Sequence, residues 1–231
     1  MERRETGERE PVFDLPGVLV ALVAGLVAVH VLRGFLSAMD DLLLTATFAF
    51  IPDRFVTVEA GGAPAYPGGW GAMGWSFVTY AALHGSWMHL LVNAVMLAAA
   101  GKPVANRFGA RRFLVFAAAA AAAGAAAHLA VEPGSPVPMI GASGVVFGVL
   151  GAVLRFGFVP AWMPVPPALT ALSLPRVRGF ILALVVMTVI LVVVGTAPFD
   201  GDDGTVAWGA HLGGFLLGFF GFRLFEPAPR N

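Results

Sequence analysis

The sequence has no cysteine among its 231 residues. That absence excludes disulfides, thiolate metal sites and a cysteine nucleophile together, and leaves any chemistry to oxygen and nitrogen groups. Charge is also scarce. Asp, Glu, Lys and Arg make up only 12% of the chain, where a soluble domain carries about a quarter. Fourteen basic and 14 acidic side chains cancel, so nothing calls for nucleic acid or a strongly charged partner. HExxH is absent, and GDDG at 201–204 reads as a loop with no partner aspartate in a helix. Neither a metal nor a cofactor is expected. What is abundant is apolar: 58% hydrophobic residues and a mean hydropathy of +0.82, the composition of an integral membrane protein lying in a lipid bilayer.

Apolar segments long enough to cross ~30 Å of hydrocarbon lie near residues 15–36, 77–100, 112–131, 139–157, 180–198 and 206–225. The first exceeds the apolar core of a signal peptide and reads as a retained anchor. The expected fold is therefore an all-α six-helix transmembrane bundle over 15–225, with short tails at 1–14 and 226–231. Basic residues gather on one set of connections: Arg3, Arg4 and Arg9; Lys102, Arg107, Arg111 and Arg112; Arg155, Arg176 and Arg178; Arg223 and Arg230. The other set holds Asp40, Asp41, Asp53, Glu59, Glu132, Asp200, Asp202 and Asp203, with Arg54 as its clear cation and Arg33 near a span end. Lys and Arg resist translocation, so both termini are expected in the cytoplasm. The Gly- and Pro-rich stretch at 37–76, with Tyr66, Trp70 and Trp75, is expected to lie against the outer leaflet. Prolines 160, 164, 166, 167 and 175 make 158–178 an inner linker.

Spans two, four and six all enter from the outside, and each carries polar groups near that end. Span four starts PMIGASGVVFG with Ser143, span six runs WGAHLGGFLLG with His211, and span two carries HGSWMHLLVNAV with His84, His89 and Asn93. His89 and Asn93 share one helix face. Gly144, Gly148 and Gly151 on span four, and Gly214, Gly218 and Gly221 on span six, form small-residue stripes that permit close helix approach in lipid. The alanine run 117–127 in span three is a further small packing surface. A serine, a histidine and two further hydrogen-bonding groups at one depth suit acyl transfer. His211 would act as base for Ser143, and the Ser143 backbone N–H with the His89 and Asn93 side chains would receive the oxyanion. With no buried acid to orient His211, a Ser-His dyad is expected. His84, His30 and His128 are read as packing or helix-to-helix contacts.

GASG around Ser143, AHLGGFLLG around His211 and HGSWMHLLVN around His89 and Asn93 resemble, in this order, the motifs of the rhomboid family of intramembrane serine proteases. The resemblance implies a rhomboid-like six-helix bundle in which Ser143 is nucleophile, His211 base, and His89 and Asn93 complete the oxyanion hole. Gly141, Gly144, Phe147, Gly214 and Gly218 would support them by packing. It implies transmembrane protein substrates with small residues at the cleavage site, entry between spans two and five, and a plasma (inner) membrane location with the site opening outward. The competing reading is a rhomboid-like protein that binds or escorts membrane clients without cutting them. Two departures stand out: Trp75-Ser76 falls where the family often has Trp-Arg, and Phe147 where some members have tyrosine.

Overall fold

The computed structural model describes residues 14–56, 65–159, 163–194 and 206–227. Arg3, Arg4, Arg9, Glu59, Pro160, Asp200, Asp202, Asp203 and Arg230 lie outside the described residues. Among the described residues there is no strand, only one antiparallel bridge between Phe50 and Met139. The α-helices, in chain order, are α1 Gly17–Arg33, α2 Ala38–Phe48, α3 Gly69–Thr79, α4 Trp87–Phe108, α5 Ala110–Val131, α6 Ser143–Phe156, α7 Ala168–Ser173, α8 Pro175–Val194 and α9 Trp208–Phe220.

An apolar helix overlaps each of the six expected spans, but their lengths differ. Helices α4, α5 and α8 are long and apolar enough to cross a membrane; 22 residues reach about 33 Å at 1.5 Å each. α1, α6 and α9 are apolar but shorter, with 17, 14 and 13 residues. Helix α4, which matches the second expected span, starts at Trp87, not Phe77, because Ser86 caps it: the Ser86 hydroxyl accepts from the His89 N–H at 3.1 Å. It stops at Gly109, whose φ of +76° continues no right-handed helix. The outer stretch holds α2 and α3, which its glycines and prolines had concealed. Ser37 caps α2, accepting from the Asp40 N–H at 3.1 Å. The inner linker contains α7, and α8 begins at Pro175, a residue that fits a first helical turn.

Helix α6 is the axis of the bundle, buried along nearly its whole length. It packs most extensively on α9, which in turn packs on α5. Backbones touch there. A Cβ on Gly214 would fall 1.9 Å from the Gly144 carbonyl oxygen, one on Gly218 1.8 Å from that of Gly148, and one on Gly151 2.5 Å from that of Phe215. Gly221 does not join this seam, since its nearest neighbours belong to its own chain turn at Leu217. Two glycines the stripe reading omitted, Gly209 and Gly213, face α5 instead, beside His128 and the Ala123 carbonyl. α9 is therefore small on two faces. The alanine run answers it, with Ala120, Ala121, Gly124 and Ala125 buried.

Arg155 is not in the inner connection but inside α6, 1% exposed. Its guanidinium donates to the Phe219 carbonyl at 2.7 Å and to that of Pro166, and lies 5.4 Å from the Phe219 ring centre. It ties α6 to the end of α9 and to the proline-rich segment. At the opposite end Arg33 does not reach outward alone. It pairs with Asp41 at 2.7 and 3.0 Å and donates to Thr45 Oγ1 and to the His84 carbonyl.

The seam predicts a stability pattern. Gly214→Ala and Gly218→Ala each insert a methyl into backbone that no rotamer change can move, so the unfolding midpoint in detergent should fall, by the ~1–3 kcal/mol typical of overpacking or more. Gly25→Ala in α1 meets open space and should be neutral or slightly stabilising, by at most ~1 kcal/mol. Equal midpoints for the three variants would mean that α6 and α9 do not touch.

Candidate active site

Ser143 is the first residue of α6 and half-buried at its mouth. The chain arrives through Met139–Ala142, a short non-helical segment, extended at Met139 and turning at Gly141, whose backbone is held by three different elements. Met139 exchanges both hydrogen bonds with Phe50, at 2.8 and 3.1 Å, and the Gly141 N–H donates to the Tyr80 carbonyl at 3.1 Å. The Ala142 N–H donates to His84 Nε2 at 3.4 Å, a long contact. Gly141 turns the chain at φ +112°, a conformation open to glycine and strained for other residues.

The same glycine brings span two to the serine. A Cβ at Gly141 would lie 2.6 Å from His89 Nε2 and 3.8 Å from Asn93 Nδ2, so the imidazole rests directly on the backbone two residues before Ser143. Asn93 is 5% exposed and its amide donates to the His89 carbonyl, four residues earlier, at 3.0 Å. That bond fixes which way the amide points. His89 and Asn93 thus meet the Gly141–Ser143 segment from one side.

His211 comes from the other side. It is 8% exposed, and its ring stacks on Phe147, with centroids 4.2 Å apart and planes 5° from parallel. Phe147 is one turn below Ser143, so the stack holds the imidazole beside the first turn of α6. Its neighbour Ala210 lies against Gly144. Tyr80, whose hydroxyl donates to the Ala121 carbonyl at 3.0 Å, fills the remaining space over Gly144. The Nδ1 atom of His211 is buried with no hydrogen-bond partner, and no hydrogen bond joins His211 to Ser143 among the described residues. Such contacts are often loose before substrate binds.

His84 is the residue that sequence reasoning left out of the site. It lies outside α4, 1% exposed, in T-shaped contact with His89 at 5.1 Å between ring centres, and it holds the loop next to the serine. Only its spacing of five residues before His89 hinted at this. His30 packs its ring against Trp87, and His128 is buried with its backbone against Gly209.

The outer loop needs no Trp-Arg pair to be held. Trp75 Nε1 donates to the Thr47 carbonyl at 3.0 Å, while Ser76 is wholly buried with its hydroxyl unpartnered. The arginine comes from elsewhere in the loop. Arg54, wholly buried, donates to the carbonyls of Pro67 and Ala46 and lies under the Tyr66 ring. Tyr66 donates to Asp53 at 2.7 Å, and that hydrogen bond raises the phenol's pKa above its ordinary value.

Residues 71–226, more than half of the chain, match the family model described as the Rhomboid domain. The chain is similar to RHOMBOID-like protein 5 of Arabidopsis thaliana, 30% identical over 151 residues that cover 65% of this chain and 44% of that one. It is similar to Rhomboid protease GluP of Bacillus subtilis, 30% identical over 146 residues covering 63% of this chain and 25% of that protein. An uncharacterised Mycobacterium leprae protein is 30% identical over 160 residues, 68% of this chain and 58% of its own length. The chain spans less than half the length of the first two of these relatives. With the family match reaching from α3 past the end of α9, this chain belongs to the rhomboid family.

Proposed function

We propose that the protein is an intramembrane serine protease that hydrolyses peptide bonds in or near transmembrane segments of other membrane proteins. The observation that carries this reading is the Phe147–His211 stack, which keeps an imidazole beside the helix turn that begins with Ser143. Similarity to a relative named as a rhomboid protease supports the same class.

In this mechanism His211 takes the Ser143 hydroxyl proton as Oγ attacks the scissile carbonyl, then gives that proton to the leaving amine. Water, deprotonated by His211, releases the acyl group and returns the serine. The oxyanion is received by the Ser143 backbone N–H, which as a first-turn group has no intrahelical acceptor, and by the side chains of His89 and Asn93. Each such donor contributes roughly 10² to 10³ in rate. His84 acts as a positioning residue: by accepting from Ala142 it sets the pitch of the segment that presents Ser143. The bundle has six spans with cytoplasmic termini and a site opening outward in the plasma (inner) membrane; α1, α6 and α9, the shorter apolar helices, sit within its depth. Substrates with small residues at the cut fit a site framed by glycine and alanine.

The reading is tested on purified protein in lipid with a transmembrane substrate. Ser143→Ala and His211→Ala should each lower cleavage to background, a loss of up to ~10⁶; cleavage at the parent rate would remove the dyad. A fluorophosphonate should label the parent at Ser143 and not the His211→Ala variant, whereas a client-binding relative without proteolysis would stay unlabelled. His84→Ala should lower kcat about fivefold, from the ~1 kcal/mol of one hydrogen bond, with His84→Gln recovering part of it and KM little changed. A KM effect alone would make His84 a substrate contact.

A further inference from the structure

At the basic end of the bundle, away from Ser143, lies a cavity of about 950 Å³ that the proteolytic reading does not use. Its walls come from three separate parts of the chain: the α4–α5 junction with Arg107, Gly109 and Arg112, the segment before α7 with Pro164 and Val165, and the end of the chain after α9 with Arg223 and Glu226. We propose that this cavity binds the phosphate headgroup of an anionic phospholipid from the inner leaflet.

Four observations lead there. Charge is the first. Three arginines face one glutamate, and that glutamate is already taken: Glu226 Oε1 accepts from Arg107 Nε at 2.9 Å and from its NH2. Arg112 is exposed, and among the described residues Arg223, also exposed, donates to the Val165 carbonyl at 3.1 Å through one terminal nitrogen. Two guanidinium groups therefore have donors to offer, and guanidinium forks match phosphate geometry. Rigidity is the second. Arg107 is held over the rings of Phe156 and Phe222, at 5.0 and 5.7 Å, and its ion pair joins the end of α4 to the end of the chain, so the cavity's back wall is built rather than formed by loose surface side chains.

Position is the third. Helices α4 and α5 are both long and apolar enough to cross a membrane, so the turn between them, which carries Arg107 and Arg112, stands at a membrane surface. A headgroup can enter while its acyl chains stay in the bilayer. Size is the fourth: the volume far exceeds a free phosphate ion, and the Phe108, Pro164, Val165 and Pro227 walls suit a glycerol backbone. Basic pockets between helices on the cytoplasmic side recognise such headgroups by these features.

The test does not depend on proteolysis. The full chain is examined by native mass spectrometry in detergent, with phosphatidylglycerol and phosphatidylcholine added in equal amounts. The parent should retain phosphatidylglycerol over phosphatidylcholine by on the order of tenfold or more, and the Arg112→Gln/Arg223→Gln double variant should lose that preference. Arg111→Gln, on the neighbouring exposed position outside the cavity, should keep it. The variants carry exposed substitutions, and an unchanged melting midpoint certifies their fold. Equal retention of the two lipids by the parent overturns the proposal, as does a preference that survives in the double variant. Loss of equal size in Arg111→Gln would mean diffuse surface charge, and displacement by equimolar inorganic phosphate would mean a free oxyanion site; either result also overturns it.

Discussion

The backbone contact between α6 and α9 is the constraint on which the rest of the structure depends. In lipid, burying apolar side chains gives helices little reason to associate, because hydrocarbon surrounds them in either state; what remains is van der Waals contact and hydrogen bonding. Each atom pair at contact distance contributes only ~0.1–0.2 kcal/mol, so the gain depends on bringing many atoms together along a seam. Gly144 against Gly214 and Gly148 against Gly218 achieve this by removing the side chains that would keep the helices apart. Once the backbones touch, little freedom is left at the mouth of α6. Ala210 abuts Gly144, Phe147 lies flat on His211, and Tyr80 closes the third side.

A second constraint follows from the first. α6 is only 14 residues long, so its approach at Met139–Ala142 runs as non-helical chain through largely buried surroundings, where every unsatisfied N–H or C=O costs several kcal/mol. The structure meets that need with Phe50, Tyr80 and His84, each from a different element of the outer loop or the start of span two. Those partners are in turn held: Arg33 grips the His84 carbonyl and Asp41 together, and Arg54 draws the carbonyls of Ala46 and Pro67 toward one point. The outer loop is thus part of the scaffold of the site rather than a cover laid over it.

Much of this was legible in the sequence because membrane spans are read from apolar length, and because polar residues are so few that their coincidence near one end carries information. Ser143, His211, His89 and Asn93 stand out on that ground; in the structure His89 and Asn93 lie beside Gly141, and His211 stacks on Phe147. Other features were not legible. Helices α2 and α3 were hidden in a Gly- and Pro-rich stretch, with Pro52 and Pro67 in the segments between them and Gly69, Gly71 and Gly74 inside α3 itself. The start of α4 was missed because apolar Phe77–Leu83 continues the hydropathy of the span, while the Ser86 cap that ends the loop is a local bond with no hydropathy signal. His84 acts through a backbone N–H distant in sequence, and Gly209 and Gly213 face α5 rather than α6; both depend on tertiary placement. Arg155 looked like a loop cation because nothing in its own stretch reveals the carbonyls of Pro166 and Phe219 that surround it.

The central claim, that the α6–α9 seam holds position 143 beside position 211, is tested most directly by cross-linking. The native chain has no cysteine, so a Ser143→Cys/His211→Cys double variant carries the only two thiols, and a short bis-methanethiosulfonate can join them within one chain if they are neighbours. The account predicts efficient intramolecular cross-linking in lipid, and its loss when Gly214→Ala is added to force the helices apart. Two thiols that each react with monofunctional reagent yet do not cross-link would contradict it.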